Sequence, residues 1–163
     1  MKRLVLLLWL LPTALPAAAE GSVEVTWKDP DDYLDIQPAD DSAARFRARL
    51  FRQLEQHLDN LARGLPEGDR LQVTFTNVDL AGYVRTGPQG SVRVIGDSRP
   101  ARLEFDYRLL DGQGKTLREG SERLWGTTTS VPRAGLKKGE AFVVEKGLLT
   151  RWFRKTFSDL LER

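Results

Sequence analysis

The chain contains no cysteine, a single histidine (His57) and a single methionine, the first residue. Without a thiol there can be no disulfide framework, no cysteine nucleophile and no cysteine to carry a lipid. With one imidazole and no thiolate, the usual zinc ligand sets are excluded as well. A Ser-His-Asp triad would need His57 to leave the helix on which its spacing places it, and no G-x-S-x-G occurs. Long hydrophobic runs are also missing. The longest, Leu4 to Leu11, falls short of the roughly 20 residues that span a bilayer. Charge of one sign is scarce too: 25 basic residues face 23 acidic ones.

What is present begins with "MKRLVLLLWLLPTALPAAAEG". Lys2 and Arg3 precede the apolar run, Pro12 and Pro16 interrupt it, and Ala17 to Ala19 offers a small-x-small site. That order is the pattern of a secretory signal peptide, with cleavage expected after Ala19. Loss of Lys2 and Arg3 leaves 23 basic against 23 acidic residues. No net positive field then remains to attract phosphate, and nucleic-acid binding is not expected. Residues 1–19 are read as the signal peptide and 20–163 as one domain, exported and soluble, periplasmic or secreted, with no transmembrane segment after cleavage.

"SVEVTW", residues 22–27, alternates strictly and reads as a half-buried strand that Asp29-Pro30 ends. Asp40, Asp41 and Ser42 are N-cap types, and Phe46, Leu50, Leu54, Leu58 and Leu61 follow on one helical stripe. Gly64 is expected to close that helix in a left-handed cap, with Pro66 blocking its resumption. "RLQVTFTN" is a second strand, with a bulge or strand end near Asn77 where the phase slips. Gly82, Gly87, Pro88 and Gly90 suggest a loop, followed by a short strand at Val92 to Ile95. "RLEFDYRLLD" and "TLREGSERLW" flank "DGQGK" as a hairpin. Gly126 to Gly139 reads as a long loop. The last segment, from Glu145, is an amphipathic helix with Leu149, Trp152, Phe153, Thr156, Phe157, Leu160 and Leu161 inward. The order β-α-β-(β)-β-β-α predicts an α+β fold, an antiparallel sheet of four to five strands packed by two amphipathic helices.

The stretch "WKDPDDYLDIQPADD", residues 27–41, carries six aspartates. Against a calcium loop begun at Asp29, Asp31 and Asp40 fit, but Tyr33 replaces an oxygen ligand and Leu34 stands where the turn requires glycine. No metal and no cofactor are expected. Tyr33, Leu34 and Ile36 read instead as apolar anchors that lay the loop on the domain. The residues most suited to binding are Trp27, Asp29, Asp31, Tyr33 and Asp79; no catalytic residue is assigned. A hydrolase would have to use Asp29, Asp31 or Asp79, and its mark would be an aspartate held in a cleft with a raised pKa. Gly112-Gln113-Gly114 is a hairpin turn, not a dinucleotide loop. Arg45, Arg49 and Arg52 read as a solvated helix face.

Four stretches, "VEVTWKDPDDYLDI", "FRQLEQHLDNLARGLPEGDRLQVTFTNVDLAG", "RPARLEFDYRLLDGQGKTLREGSERL" and "EKGLLTRWF", resemble the bacterial domain-of-unknown-function family 3016. The most specific pieces are Trp27 to Pro30, Val78 to Gly82 and Glu145 to Phe153. The resemblance implies an exported bacterial protein and supplies no activity. Together with the residues, it points to a non-enzymatic envelope protein that binds a small ligand or an envelope protein. The alternatives are a periplasmic hydrolase and a structural accessory subunit of an envelope complex.

Overall fold

The structure, a computed structural model, describes residues 20–132 and 139–161. The expected signal peptide, and part of the expected loop before Gly139, lie outside them. Among the described residues there are six strands: β1 (Ser22–Trp27), β2 (Arg70–Asp79), β3 (Tyr83–Gly87), β4 (Gly90–Val94), β5 (Ala101–Leu110) and β6 (Thr116–Gly126). Helix α1 (Ala43–Ala62) follows β1, and α2 (Val143–Thr156) and a single turn, α3 (Ser158–Leu161), follow β6. The fold is α+β. Its main sheet has the order β1-β2-β5-β6, and β3 and β4 form a separate two-stranded ribbon.

The sheet is mixed, not antiparallel as the sequence suggested. β1 pairs with β2 in parallel, Ser22 with Arg70 through Trp27 with Phe75. The physical reason is the connection. A 20-residue helix carries the chain about 30 Å back to where β1 began, so β2 must run in the same direction. Strict alternation in β1 resembled an antiparallel strand because the helices cover only one face of this sheet, leaving the other to water.

α1 starts where Ser42 accepts the Arg45 amide, and its stripe of Phe46, Leu50, Leu54, Leu58 and Ala62 is buried. The helix ends differently from expectation. Arg63 is its C-cap in the right-handed region, and Gly64 is not among the residues of positive φ; Gly68, later in the connection to β2, is. The bulge in β2 lies between Phe75 and Asn77. It returns Val78 to the buried face occupied by Leu71, Val73 and Phe75. β3 was not recognised in the sequence. The ribbon is exposed along most of its length, so no core face imprinted an alternating pattern on it.

A run of aromatic rings crosses the core. Trp27 stacks between Phe51 and Phe75 at centroid distances of 3.9 and 4.4 Å. Phe75 meets Phe105, and Phe105 meets the edge of Trp152. The last helix begins two residues before Glu145 and stops at Phe157, which is buried. This start brings Glu145 and Lys146 into the first turn, where both are buried.

Candidate functional site

The outward face of the main sheet is a set of cross-strand rows. Glu24, Gln72, Arg108 and Glu119 form one row, and Asp79, Arg102 and Trp125 another. Opposite charges thus alternate along strands that have no apolar cover on this side. The Asp79 row ends in a cleft of about 430 Å³ lined by Leu34, Asp35, Asp79, Gly82, Arg99 and Arg102.

Asp79 occupies the last position of β2, where the strand meets two other segments. Asp35 bridges to Asp79 in parallel, and the Leu80 amide donates to the Asp35 carbonyl at 3.0 Å. On the far side, the Ala81 amide donates to Glu145 Oε1 at 2.8 Å. Two of the three stretches that carry the family resemblance most specifically, Val78 to Gly82 and Glu145 to Phe153, therefore meet here, and Trp27 to Pro30 lies elsewhere. Gly82, which follows, has φ +80°, and a Cβ there would come within 2.0 Å of the Val94 carbonyl oxygen. Only glycine lets the chain turn this tightly against β4.

Arg93 of β4 is the strut of the site. Its Nη2 and Nη1 hold both oxygens of Asp35 at 3.0 and 3.1 Å, and Nη2 also donates to the Gln37 carbonyl at 2.9 Å. Asp35 is thereby fully committed to the fork, a bidentate geometry that fixes the ribbon on the loop after β1. Asp79 is not so engaged. Burial, and then the neighbouring Asp35, push its carboxyl up, against the pull of Arg102, Arg93 and Arg99. Glu145 is also pushed up, by burial above all, although the Ala81 amide, its own amide and Arg93 favour its charged form.

Two guanidinium groups face the cleft. Arg99 lies over the Tyr83 ring at 5.5 Å. Among the described residues, the Arg102 guanidinium has no hydrogen-bond acceptor. The arrangement offers two fork-shaped donor sets around one carboxyl that gains a proton more readily than usual.

The other expected site residues are elsewhere in function if not far in sequence. Trp27 is packed in the aromatic run and donates Nε1–H to Glu55 at 2.6 Å. Tyr33 is buried and donates its hydroxyl to the Phe75 carbonyl at 3.0 Å. Burial and Asp29 push its pKa up to about 12. Asp29 is exposed in the left-handed region, at φ 48°, where it caps a 3-10 turn. Asp31, exposed, pairs with Arg47 at 2.6 Å. Neither Asp29 nor Asp31 lines the cleft. Of the three apolar anchors, Tyr33 is buried and Ile36 is partly buried against the core, whereas Leu34 is 66% exposed at the cleft rim. Its side chain follows its neighbour inward and so must turn outward.

Asp35, Arg93, Arg99, Arg102 and Glu145 did not stand out in the sequence. Arg102 was visible only as one more outward position of a strand. Glu145 gave a better signal, an acid within an apolar helix, whose burial depends on where that helix starts.

A second polar cluster joins α1 to α2. Lys146 is 2% exposed, and its Nζ donates to Gln53 Oε1 at 2.8 Å and to Glu140 Oε1 at 2.6 Å. Thr150 donates its hydroxyl to the Lys146 carbonyl. That spends the one hydroxyl proton, so His57 Nε2 is the donor in its 2.8 Å contact with Thr150 Oγ1. Burial, then Lys146, lower the His57 pKa. Among the described residues, no group of three or more His, Cys, Asp or Glu side chains is placed to hold a metal. Nor is any helix there long and apolar enough to cross a membrane.

A family model described as "Protein of unknown function (DUF3016)" matches residues 21–155. No curated protein is significantly similar to the chain. Among solved structures, a "putative lipoprotein" from Caulobacter crescentus CB15 is similar at 16% identity and a TM-score of 0.37, over 86% of this chain and 88% of that one.

Proposed function

The chain belongs to the DUF3016 family, and on that premise we propose that it is an exported, non-enzymatic binding protein of the bacterial envelope that holds an anionic group in the cleft between Asp79, Arg99 and Arg102. One observation carries the reading: Arg102 lines an open cleft without a hydrogen-bonded partner among the described residues. A guanidinium fork left unused in a cleft suits a carboxylate or phosphate. Export rests on the leader-like order of residues 1–19. The sequence has no cysteine to accept a lipid, so a lipoprotein's anchor is not part of the proposal.

Asp79 makes the binding dependent on pH. Its carboxylate repels an anion, and its pKa is raised, so affinity falls as pH rises through that pKa. Titration with inorganic phosphate and with succinate, followed through the amide resonances of Gly82 and Arg102, tests this. Saturable shifts in the millimolar range, about 4 kcal/mol of binding, are expected. They should disappear in Arg102→Ala, and in Asp79→Asn the affinity above the raised pKa of Asp79 should increase, because the repelling carboxylate is gone. Shifts that survive Arg102→Ala unchanged, or no saturable shift, would sink the proposal.

Hydrolysis is the second reading, favoured by one observation: Asp79 lies in a cleft with a raised pKa, the mark of a general acid. It lacks a second carboxylate, since both Asp35 oxygens are held by Arg93 and Asp29 and Asp31 lie outside the cleft.

A further inference from the structure

The main sheet has two edges, and β6 is the longer, 11 residues against 6 for β1. An edge strand presents a row of N–H and C=O groups to any second strand. Most edges deter such pairing with charge. β6 carries charges of both signs on its outward face, Glu119 and Arg123.

Its outward-facing residues are Glu119, Ser121, Arg123 and Trp125, set opposite Arg108, Asp106, Glu104 and Arg102 of β5. Glu119 pairs with Arg108 at 3.2 Å, and Arg123 with Glu104 at 3.0 Å. Consider a second copy laid antiparallel along this edge, with the two-fold axis at Ser121. Ser121 then faces Ser121 of the copy, Glu119 faces Arg123, and Arg123 faces Glu119. The row that reads Arg108, Glu119 in one copy continues as Arg123, Glu104 in the other, so the signs alternate without a break across the seam. Leu117 and Trp125, which are 48% and 65% exposed, come opposite each other at both ends. Leu117 sits at the bulge where the β5–β6 register shifts.

Other registers do not do this. Centring on Gly120 sets Arg123 against Leu117 and Glu119 against Ser121. Centring on Glu119 or Glu122 brings like charges face to face, which is destabilising in a cross-strand pair. The Trp125 carbonyl already accepts from Arg151 at 3.2 Å, and a carbonyl oxygen has a second lone pair for a ladder bond. We infer that the protein forms a two-fold dimer through antiparallel β6–β6 pairing centred on Ser121, joining two four-stranded sheets into one of eight strands.

The cysteine-free sequence makes the register testable. In the purified protein, Ser121→Cys places two thiols directly opposite, at a cross-strand spacing of about 5 Å between Cβ atoms. Under mild oxidation it should yield a disulfide-linked dimer at least about tenfold faster than Glu119→Cys, whose two copies are offset by four residues along the seam and cannot reach. Sedimentation equilibrium of the unmodified protein, from about 5 to about 500 µM, should show a concentration-dependent monomer–dimer exchange. Glu119→Arg should weaken it at least about tenfold, and adding Arg123→Glu should recover part of that loss, because the seam pair is re-formed with its signs exchanged while Arg108 and Glu104 then face like charges within each copy. Circular dichroism melting of each variant separates a lost seam from a lost fold. A monomer over the whole range, equal cross-linking rates for the two cysteine variants, or no rescue by the exchanged pair would overturn the inference.

Discussion

At the scale of single residues, Tyr33 and Asp31 show how neighbours in an acidic stretch part company. Tyr33 is buried and hydrogen-bonded to the Phe75 carbonyl, whereas the Asp31 carboxylate is 83% exposed in a pair with Arg47. Tyr33→Ala should therefore cost about 3–5 kcal/mol, as for other large aromatic truncations. Asp31→Asn should stay within about 1 kcal/mol, the worth of an exposed ion pair. Tyr33→Phe should fall between, near 1 kcal/mol for one hydrogen bond. Urea midpoints decide it, and equal losses for Tyr33→Ala and Asp31→Asn would contradict the burial. His57 gives a prediction in pH. Its folded pKa is lowered from 6.5 by burial and by Lys146. The unfolded chain therefore takes up the proton first, and the contribution of His57 is present above pH 6.5 and lost as pH falls through the folded value. Asp79 and Glu145, both raised, act in the opposite sense: their contribution is present below their unfolded pKa values and lost as pH rises through the folded ones. In His57→Gln the decline of the urea midpoint just below pH 6.5 should become shallower. An unchanged slope would mean that His57 charges freely in the folded state.

At the scale of elements, the β3–β4 ribbon depends on Gly82 and Arg93. A Cβ at position 82 would collide with the Val94 backbone, and φ there is +80°. Gly82→Ala is expected to cost about 2 kcal/mol or more, through strain and displacement of the ribbon. Gly96→Ala, with no atom within 4 Å of the added Cβ, should be close to neutral. Hydrogen exchange of the β3 and β4 amides, together with the melting temperature, measures both. Protection left intact in Gly82→Ala would show that the turn has another conformation open to it. The helices were the most legible elements, because α1 carries its apolar stripe at a regular spacing against one side of the sheet. The end of α1 and the start of α2 were less so. Gly64 sits where a left-handed cap would be, yet the chain turns through Arg63 in the right-handed region and buries Leu65. Phe142 takes the left-handed position at the start of α2, which a local reading would assign to glycine or asparagine.

At the scale of the whole molecule, three of the six aspartates of residues 27–41 answer to arginines from other elements. Asp31 is held by Arg47, Asp35 by Arg93, and Asp41 by Arg45 and Arg49. A cation would have to displace these pairs, so millimolar calcium is expected to leave the melting temperature unchanged. A rise that Asp31→Asn abolishes would place a metal site in this loop, since a ligand of the folded state stabilises it by mass action.

The sequence by itself determined the α+β class, the inward faces of α1, β2 and β5, the β5–β6 hairpin and the bulge near Asn77. Each of these is written in periodicity or turn chemistry, which are local properties of the chain. It also placed Asp79 among the candidate binding residues. Only the tertiary structure decided that β1 runs parallel to β2, that Glu145 and Lys146 are buried, and that Asp79 shares a cleft with Arg99 and Arg102 beside the Asp35–Arg93 pair. Those facts are meetings between segments far apart in the chain. The residues involved sit at outward or element-end positions, where no periodic pattern records which distant side chain will face them.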